Sequence, residues 1–278
     1  MTMLLHRSHL LAPSGLLVLA LAACTATGST TATESPTPSR TTAVDAADWS
    51  YVGSTGPDSW GDVSATCGTG EAQSPVDLEL ATATPGTSAD APLLSYAATA
   101  FSAVNNWHTV EGVPEDVTAS TLTVDGTVYT LQQFHLHNPS EHSLDGEHAA
   151  MELHLVHKSS DGDVAVVAVL IQVGAENAVL REFFEKLPST PAPGVREHEV
   201  ELAQEIDLPA LLPTDSAVVR YTGSLTTPPC TEGVQWTVLE TPVTVSQEQY
   251  SAFAALFPDD HRPTQDLGGR TVTEIAAG

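Results

Sequence analysis

Short apolar runs separated by turn residues dominate the chain. Ser120-Thr121-Leu122-Thr123-Val124 and Val128-Tyr129-Thr130-Leu131 are rich in β-branched and aromatic residues. Asp125-Gly126 between them is a hairpin signal. Further β-rich runs cover Val164 to Val173, Ala217 to Tyr221 and Val234 to Leu239. Helical signals are few. Leu180, Phe183, Phe184 and Leu187 are spaced for a helix from Glu176 to Leu187. Ser246 with Gln249 forms a capping-box pattern, with Val245 and Tyr250 placed to staple it. The pattern predicts a mostly β domain with minor helices and no internal repeat.

The same alternation organises the histidines. Six of the eleven fall between His135 and His157. On a strand, His135 and His137 share one face. Asn138-Pro139 and Asp145-Gly146 are turn signals, so His154 is expected on a returning strand beside the first. Three imidazoles then converge and leave a fourth tetrahedral position open, the arrangement of a catalytic zinc. Gln133 and Glu152 each precede a ligand histidine by two residues and face the same way. An amide or carboxylate there holds the imidazole's other N–H. A lone His-x-His is more often a pair of strand histidines; the third histidine and the two polar partners shift the balance to metal. His157 falls on the opposite face and reads as structural, His142 as a packed core histidine, and His148 as solvated.

Gln133-Phe134-His135-Leu136-His137, Ser140-Glu141-His142, Met151-Glu152-Leu153-His154-Leu155-Val156-His157 and Gly223-Ser224-Leu225-Thr226-Thr227-Pro228-Pro229-Cys230 resemble the alpha-class carbonic anhydrases. Trp49-Ser50-Tyr51 with Gly56-Pro57 and Trp60, Gln73-Ser74-Pro75-Val76, Asn105-Asn106-Trp107-His108 and Arg262-Pro263-Thr264-Gln265 match in the family's order. The resemblance spans Trp49 to Arg270. It implies a large twisted, largely antiparallel central sheet with zinc at the base of a cone. It also implies reversible hydration of CO2 to bicarbonate by zinc-bound hydroxide.

Residue by residue, the resemblance makes Thr226 a donor to Glu141 and an acceptor from the hydroxide, with Thr227 contacting bicarbonate. Val156, Val166, Leu225, Val234 and Trp236 form the dry wall for CO2. Asn106, Gln133 and Tyr51 form the wet wall, and His108 is the proton shuttle. Taken alone, Thr226 is a turn threonine, Glu141 a loop carboxylate and the wall residues ordinary core. Trp107, bulky where relatives often have glycine, is expected to restrict His108. Asn138-Pro139 replaces the Trp-Gly of animal enzymes and is expected to lie outside the chemistry.

The ends of the chain read differently. Arg7 leads into an apolar run from Leu10 to Ala22, too short to span a bilayer as a mature helix. Leu21-Ala22-Ala23-Cys24 resembles a bacterial lipobox, so residues 1–23 are expected as a signal peptide and Cys24 as a lipidated anchor. Residues 24–47, rich in Thr, Ser, Ala and Pro, bury too little surface to order themselves and read as a tether. Residues 48–278 form the catalytic domain. The expected location is exported, on the outer face of the cell membrane or in the periplasm. With Cys24 assigned to lipid, Cys67 and Cys230 remain as an even pair in an exported chain, and secreted relatives commonly join these positions.

Nine basic against 35 acidic residues give a net charge of −26. This argues against nucleic acid, whose phosphates need basic partners. It predicts a soluble, self-repelling surface, which a salty environment would rationalise. Two other readings remain open at this level. One is a non-catalytic zinc- or partner-binding surface lipoprotein. The other is a cupin-type metal site, since His135-x-His137 followed by Glu141 fits the first cupin motif, although Pro-x-Gly is absent before His154.

Overall fold

A computed structural model describes residues 49–277. The expected signal peptide, Cys24 and tether lie outside these residues. Twelve strands form one sheet: β1 Thr84–Pro85, β2 Leu93–Ser95, β3 Phe101–Asn105, β4 Val110–Pro114, β5 Thr121–Val124, β6 Thr127–His137, β7 Met151–Ser159, β8 Val164–Val173, β9 His198–Glu201, β10 Val218–Ser224, β11 Glu232–Val245 and β12 Thr273–Ile275. The order across it is β9-β3-β4-β6-β7-β8-β11-β10-β12-β1, with β5 pairing both β2 and β6. Only β8 with β11 and β12 with β1 run parallel. The sheet is thus largely antiparallel, as expected.

The hairpin signal holds. Val124 pairs with Thr127 across a two-residue loop. Asp125 and Gly126 both take positive φ, 48° and 82°. That geometry matches the twist of the flanking strands and favours Asp-Gly.

The helices are short: α1 Trp60–Val63, α2 Ala65–Thr69, α3 Arg181–Glu185, α4 Leu208–Leu211 and α5 Gln247–Ala254. The predicted capping box at Ser246 and Gln249 caps α5. The helix expected from Glu176 to Leu187 contracts to α3. Asn177 explains this: its N–H donates to Gln249 Oε1 (2.9 Å) and its carbonyl accepts from Gln249 Nε2 (2.8 Å). The backbone before Leu180 is committed to α5 and not to its own helical turn. Leu180, Phe183 and Phe184 are still buried.

Both faces of the sheet are covered. Val167, Val169 and Ile171 of β8 join Phe134, Leu153 and Phe183 on one face. Val166 and Ala168 join Val234, Trp236 and Val238 on the other. This is why β8 reads as an unbroken apolar run from Val164 to Ile171. Phe134, Leu136, Leu153 and Leu155 occupy the first face. Alternation therefore sends His135, His137 and His154 to the second. The antiparallel register of β6 and β7 sets His154 opposite His135 and Glu152 opposite His137. The connection between them carries a small hairpin, Ser143–Leu144 with Glu147–His148, turned at Asp145 and Gly146.

Candidate metal centre

Each of the three imidazoles of His135, His137 and His154 has one nitrogen engaged by an acceptor. His135 Nδ1 donates to Gln133 Oε1 (2.9 Å), His137 Nδ1 to the Asp260 carbonyl (2.7 Å) and His154 Nε2 to Glu152 Oε1 (2.8 Å). The free lone pairs are therefore on His135 Nε2, His137 Nε2 and His154 Nδ1. The three residues offer ligand atoms within 4.8 Å of one another. Burial holds His135 well below the usual imidazole range, reinforced by His137 and His154. Burial also lowers His137. Both are thus neutral, the form that binds metal. The Gln133 and Glu152 partners fall where strand parity puts them. The Asp260 carbonyl was not foreseeable, because every residue carries one.

Glu152 anchors a longer chain of bonds. Its Oε2 accepts from His142 N (2.7 Å) and its Oε1 from His142 Nδ1 (2.6 Å). Burial opposes its ionisation, but His142 and His154 together hold its carboxyl well below the usual range. His142 Nε2 then accepts from Tyr221 (2.6 Å), whose hydroxyl lies 2.8 Å from Ser74 Oγ. His142 is the buried core histidine expected, and His148 is exposed. His157, also buried, meets the Tyr96 hydroxyl at 2.9 Å on the opposite side.

Glu141 is buried, and its Oε1 accepts from Arg262 N (2.8 Å). Its Oε2 accepts no hydrogen bond among the described residues, and neither does His137 Nε2. The two atoms face each other at 3.4 Å, and His154 Nδ1 is 3.9 Å from the same oxygen. Buried acceptors facing each other with no donor between them call for a cation. Three imidazole lone pairs suit zinc, leaving a four-coordinate ion one position for a small ligand. The expected Thr226 bond to Glu141 does not form, because Oε2 turns toward the imidazoles.

A cavity of about 470 Å³ opens beside the histidines. Val156, Val166, Leu225, Val234 and Trp236 line it, with Gln133, Thr226 and Thr227 as polar counterparts. Every residue expected in the dry wall is therefore in one place. The loop from Thr226 to Cys230 is tied to the fold by the Cys67–Cys230 disulfide.

A family model described as eukaryotic-type carbonic anhydrase matches residues 55–276. The chain belongs to the alpha-class carbonic anhydrases. A carbonic anhydrase of Klebsiella pneumoniae is 42% identical over 233 residues, which is 82% of this chain and 92% of that protein. The alpha-carbonic anhydrase of Thermovibrio ammonificans, solved with the inhibitor sulfanilamide, matches with a TM-score of 0.75 at 39% identity, covering 81% of this chain and 98% of that one. Dioscorin complexed with ascorbate matches at 0.74 and 31% identity, covering 82% and 98%. The protein is thus an enzyme of a lyase family, and the cupin reading falls with this assignment.

Two departures from the family's usual residues, Trp107 and Asn138, have defined partners in the fold. The Trp107 indole N–H donates to the Val195 carbonyl (2.8 Å). The ring stacked on His108 is Trp49, at 3.6 Å and 6° between planes. Trp107 itself has φ 78°, a left-handed conformation that glycine adopts most readily. Asn138 stands behind the site, next to His137 in the chain. Its N–H donates to Asp260 Oδ1 (2.7 Å) and its amide to the Phe257 carbonyl (3.2 Å), so it holds the segment that supports His137. Tyr51 lies edge-on to His137, ring centres 6.5 Å apart, and burial, then Glu141 and Asp260, raises its hydroxyl well above the usual range. Asn106 Oδ1 accepts from His108 N (3.1 Å) and Thr109 N (3.0 Å), shaping the turn that carries His108.

Proposed function

We propose that this protein is a zinc enzyme catalysing the reversible hydration of CO2 to bicarbonate and a proton. The observation that carries the proposal is the set of three imidazole lone pairs aimed together beside an apolar-walled cavity. Zinc held there supplies the Lewis acidity that makes water a nucleophile near neutral pH, the behaviour for which carbonic anhydrase is the usual example. His135, His137 and His154 hold the ion, and Gln133, the Asp260 carbonyl and Glu152 fix their tautomers.

Glu141, with Oε1 engaged by Arg262 N, would turn Oε2 from the imidazoles to the Thr226 hydroxyl once a cation occupies the lone pairs it now faces. An ionised carboxylate only accepts, so Thr226 donates to it. The Thr226 oxygen is then an acceptor, which orients the attacking water. Thr227 binds the bicarbonate oxygens. Val156, Val166, Leu225, Val234 and Trp236 exclude water from the side where apolar CO2 rests. His108 takes up the proton that leaves and passes it on, the role to which an imidazole is suited in neutral solution. Tyr51, Asn106 and Gln133 form the polar side along which ordered water carries it.

Export and attachment to a membrane through lipid on Cys24 belong to the same proposal, supported by the apolar run ending at Leu21-Ala22-Ala23-Cys24. Metal analysis with a CO2 hydration assay tests the enzymatic reading. One zinc per chain and rapid hydration are expected; a metal-free, inactive protein that stays inactive with added zinc overturns it.

A further inference from the structure

Glu111 is a carboxylate that the reaction as described does not use, and it sits on the metal side of the sheet. It is placed there by its neighbour. A side chain at Gly112 would run into the Phe134 ring at 2.2 Å, so only glycine lets β4 close on β6. With Gly112 opposite Phe134, Glu111 pairs with the ligand His135.

Two side-chain amides converge on one oxygen of this carboxyl group. Asn106 Nδ2 donates to Glu111 Oε1 at 3.1 Å, and Gln133 Nε2 approaches the same oxygen at 3.5 Å. The carbonyl ends of these amides are committed elsewhere. Gln133 Oε1 accepts from His135 Nδ1, and Asn106 Oδ1 accepts from His108 N and Thr109 N. A carboxamide has one accepting end and one donating end, and nothing in its shape distinguishes them. If Gln133 flipped, its NH2 would face His135, and the imidazole would lose the acceptor that fixes its tautomer. A carboxyl group presents an acceptor oxygen to both amides in either protonation state.

We infer that Glu111 is a positioning residue for the metal centre: it holds the Gln133 carboxamide with its oxygen toward His135, and so directs His135 Nε2 at the metal. Through Asn106 the same oxygen also braces the turn bearing His108. The inference rests on the zinc reading proposed above. Partners one step behind a ligand histidine typically alter metal affinity 10- to 100-fold.

The test is the rate at which purified holoenzyme releases zinc to excess chelator, followed with a zinc-responsive dye. Glu111→Val is expected to release zinc roughly 10-fold faster than wild type. Glu111→Gln, whose carboxamide oxygen still accepts, is expected to stay within about twofold, because the role needs an acceptor and not a charge. In a Gln133→Ala background, Glu111→Val is expected to add less than about twofold, since the effect passes through Gln133. Should Glu111→Val not fold, Glu111→Ser, polar but too short to reach either amide, carries the same expectation. Wild-type release from Glu111→Val and Glu111→Ser, an acceleration in Glu111→Gln as large as in Glu111→Val, or an equal acceleration in the Gln133→Ala background, overturns the inference. His137→Ala separates the two ideas. If it loses zinc while Glu111→Val and Glu111→Ser behave as wild type, only the positioning role fails. If it keeps its zinc, the zinc-site reading itself fails.

Discussion

At the scale of single residues, the site is a set of acceptors arranged so that three imidazoles have no choice of tautomer. Glu141 differs from the rest, because one of its oxygens is engaged by Arg262 N and the other accepts no hydrogen bond among the described residues. Glu141→Gln is therefore expected to retain zinc while slowing hydration by about 10²-fold or more, the scale of one oriented hydrogen-bond partner. Metal content measured beside the rate checks this, and loss of zinc with the substitution would make Glu141 a ligand. His108→Ala is expected to lower turnover in weak buffer and to recover partly with added imidazole. Isotope exchange between CO2 and bicarbonate at equilibrium, which needs no proton release, should barely change. Equal turnover of variant and wild type in weak buffer removes His108 from proton transfer. Gln133 and Glu152 were legible in the sequence because side chains two apart on a strand share a face. The Asp260 carbonyl and the Arg262 N–H were not, since backbone groups carry no sequence signal and these arrive from more than a hundred residues away. Glu111 was invisible for a related reason: its place depends on the pairing of β4 with β6, which hangs on the missing side chain of Gly112.

At the scale of elements, period-two alternation located the strands that matter, and the exact match of Val164 to Val173 with β8 reflects burial on both its faces. Helical spacing was a weaker guide, because α3 competes with Gln249 for the backbone around Asn177. The strand β7 shows both outcomes of parity in one element, with His154 facing His135 and His137 and His157 packed against Tyr96. Burial holds His157 down to about 4 from the ordinary 6.5. In the folded protein it is neutral across most acid conditions, whereas the unfolded chain takes up a proton below about 6.5. Proton uptake by the unfolded state destabilises the fold as pH drops, so the contribution is complete above 6.5 and is lost progressively toward 4. At ~1.36 kcal/mol per pH unit the window holds roughly 3 kcal/mol. His157→Gln is expected to flatten this acid limb, with denaturant unfolding at pH 7.5, 6 and 4.5 as the measurement. Parallel stability curves for variant and wild type would rule the histidine out as the source.

At the scale of the whole molecule, the chain is long, strongly acidic and joined across most of its folded length by one covalent link. A net charge of −26 disfavours the compact state through self-repulsion, which gives such a link something to oppose. Cys67 and Cys230 are 163 residues apart in sequence. In the chain-entropy view, closing a loop of that length stabilises the fold by about 5 kcal/mol at most. The bond also ends beside the site. Cys230 N donates to the Thr227 carbonyl (2.8 Å), and the Cys67 carbonyl accepts from Arg262 Nη2 (3.0 Å), the residue whose N–H holds Glu141. Losing the link therefore loosens the Thr226–Cys230 loop and the Arg262 support together. Cys67→Ser is expected to melt up to roughly 10 °C lower than wild type under oxidising conditions, taking ~2–4 °C per kcal/mol for a domain of this size and a realised stabilisation below the ideal. Under reducing conditions the two proteins should melt together, because wild type then lacks the bond as well. The comparison isolates the bond from the cost of the substitution: a gap that persists after reduction belongs to the serine and not to the disulfide. Peptide mapping of the unreduced protein decides the premise, since free Cys67 and Cys230 thiols would leave no bond to lose.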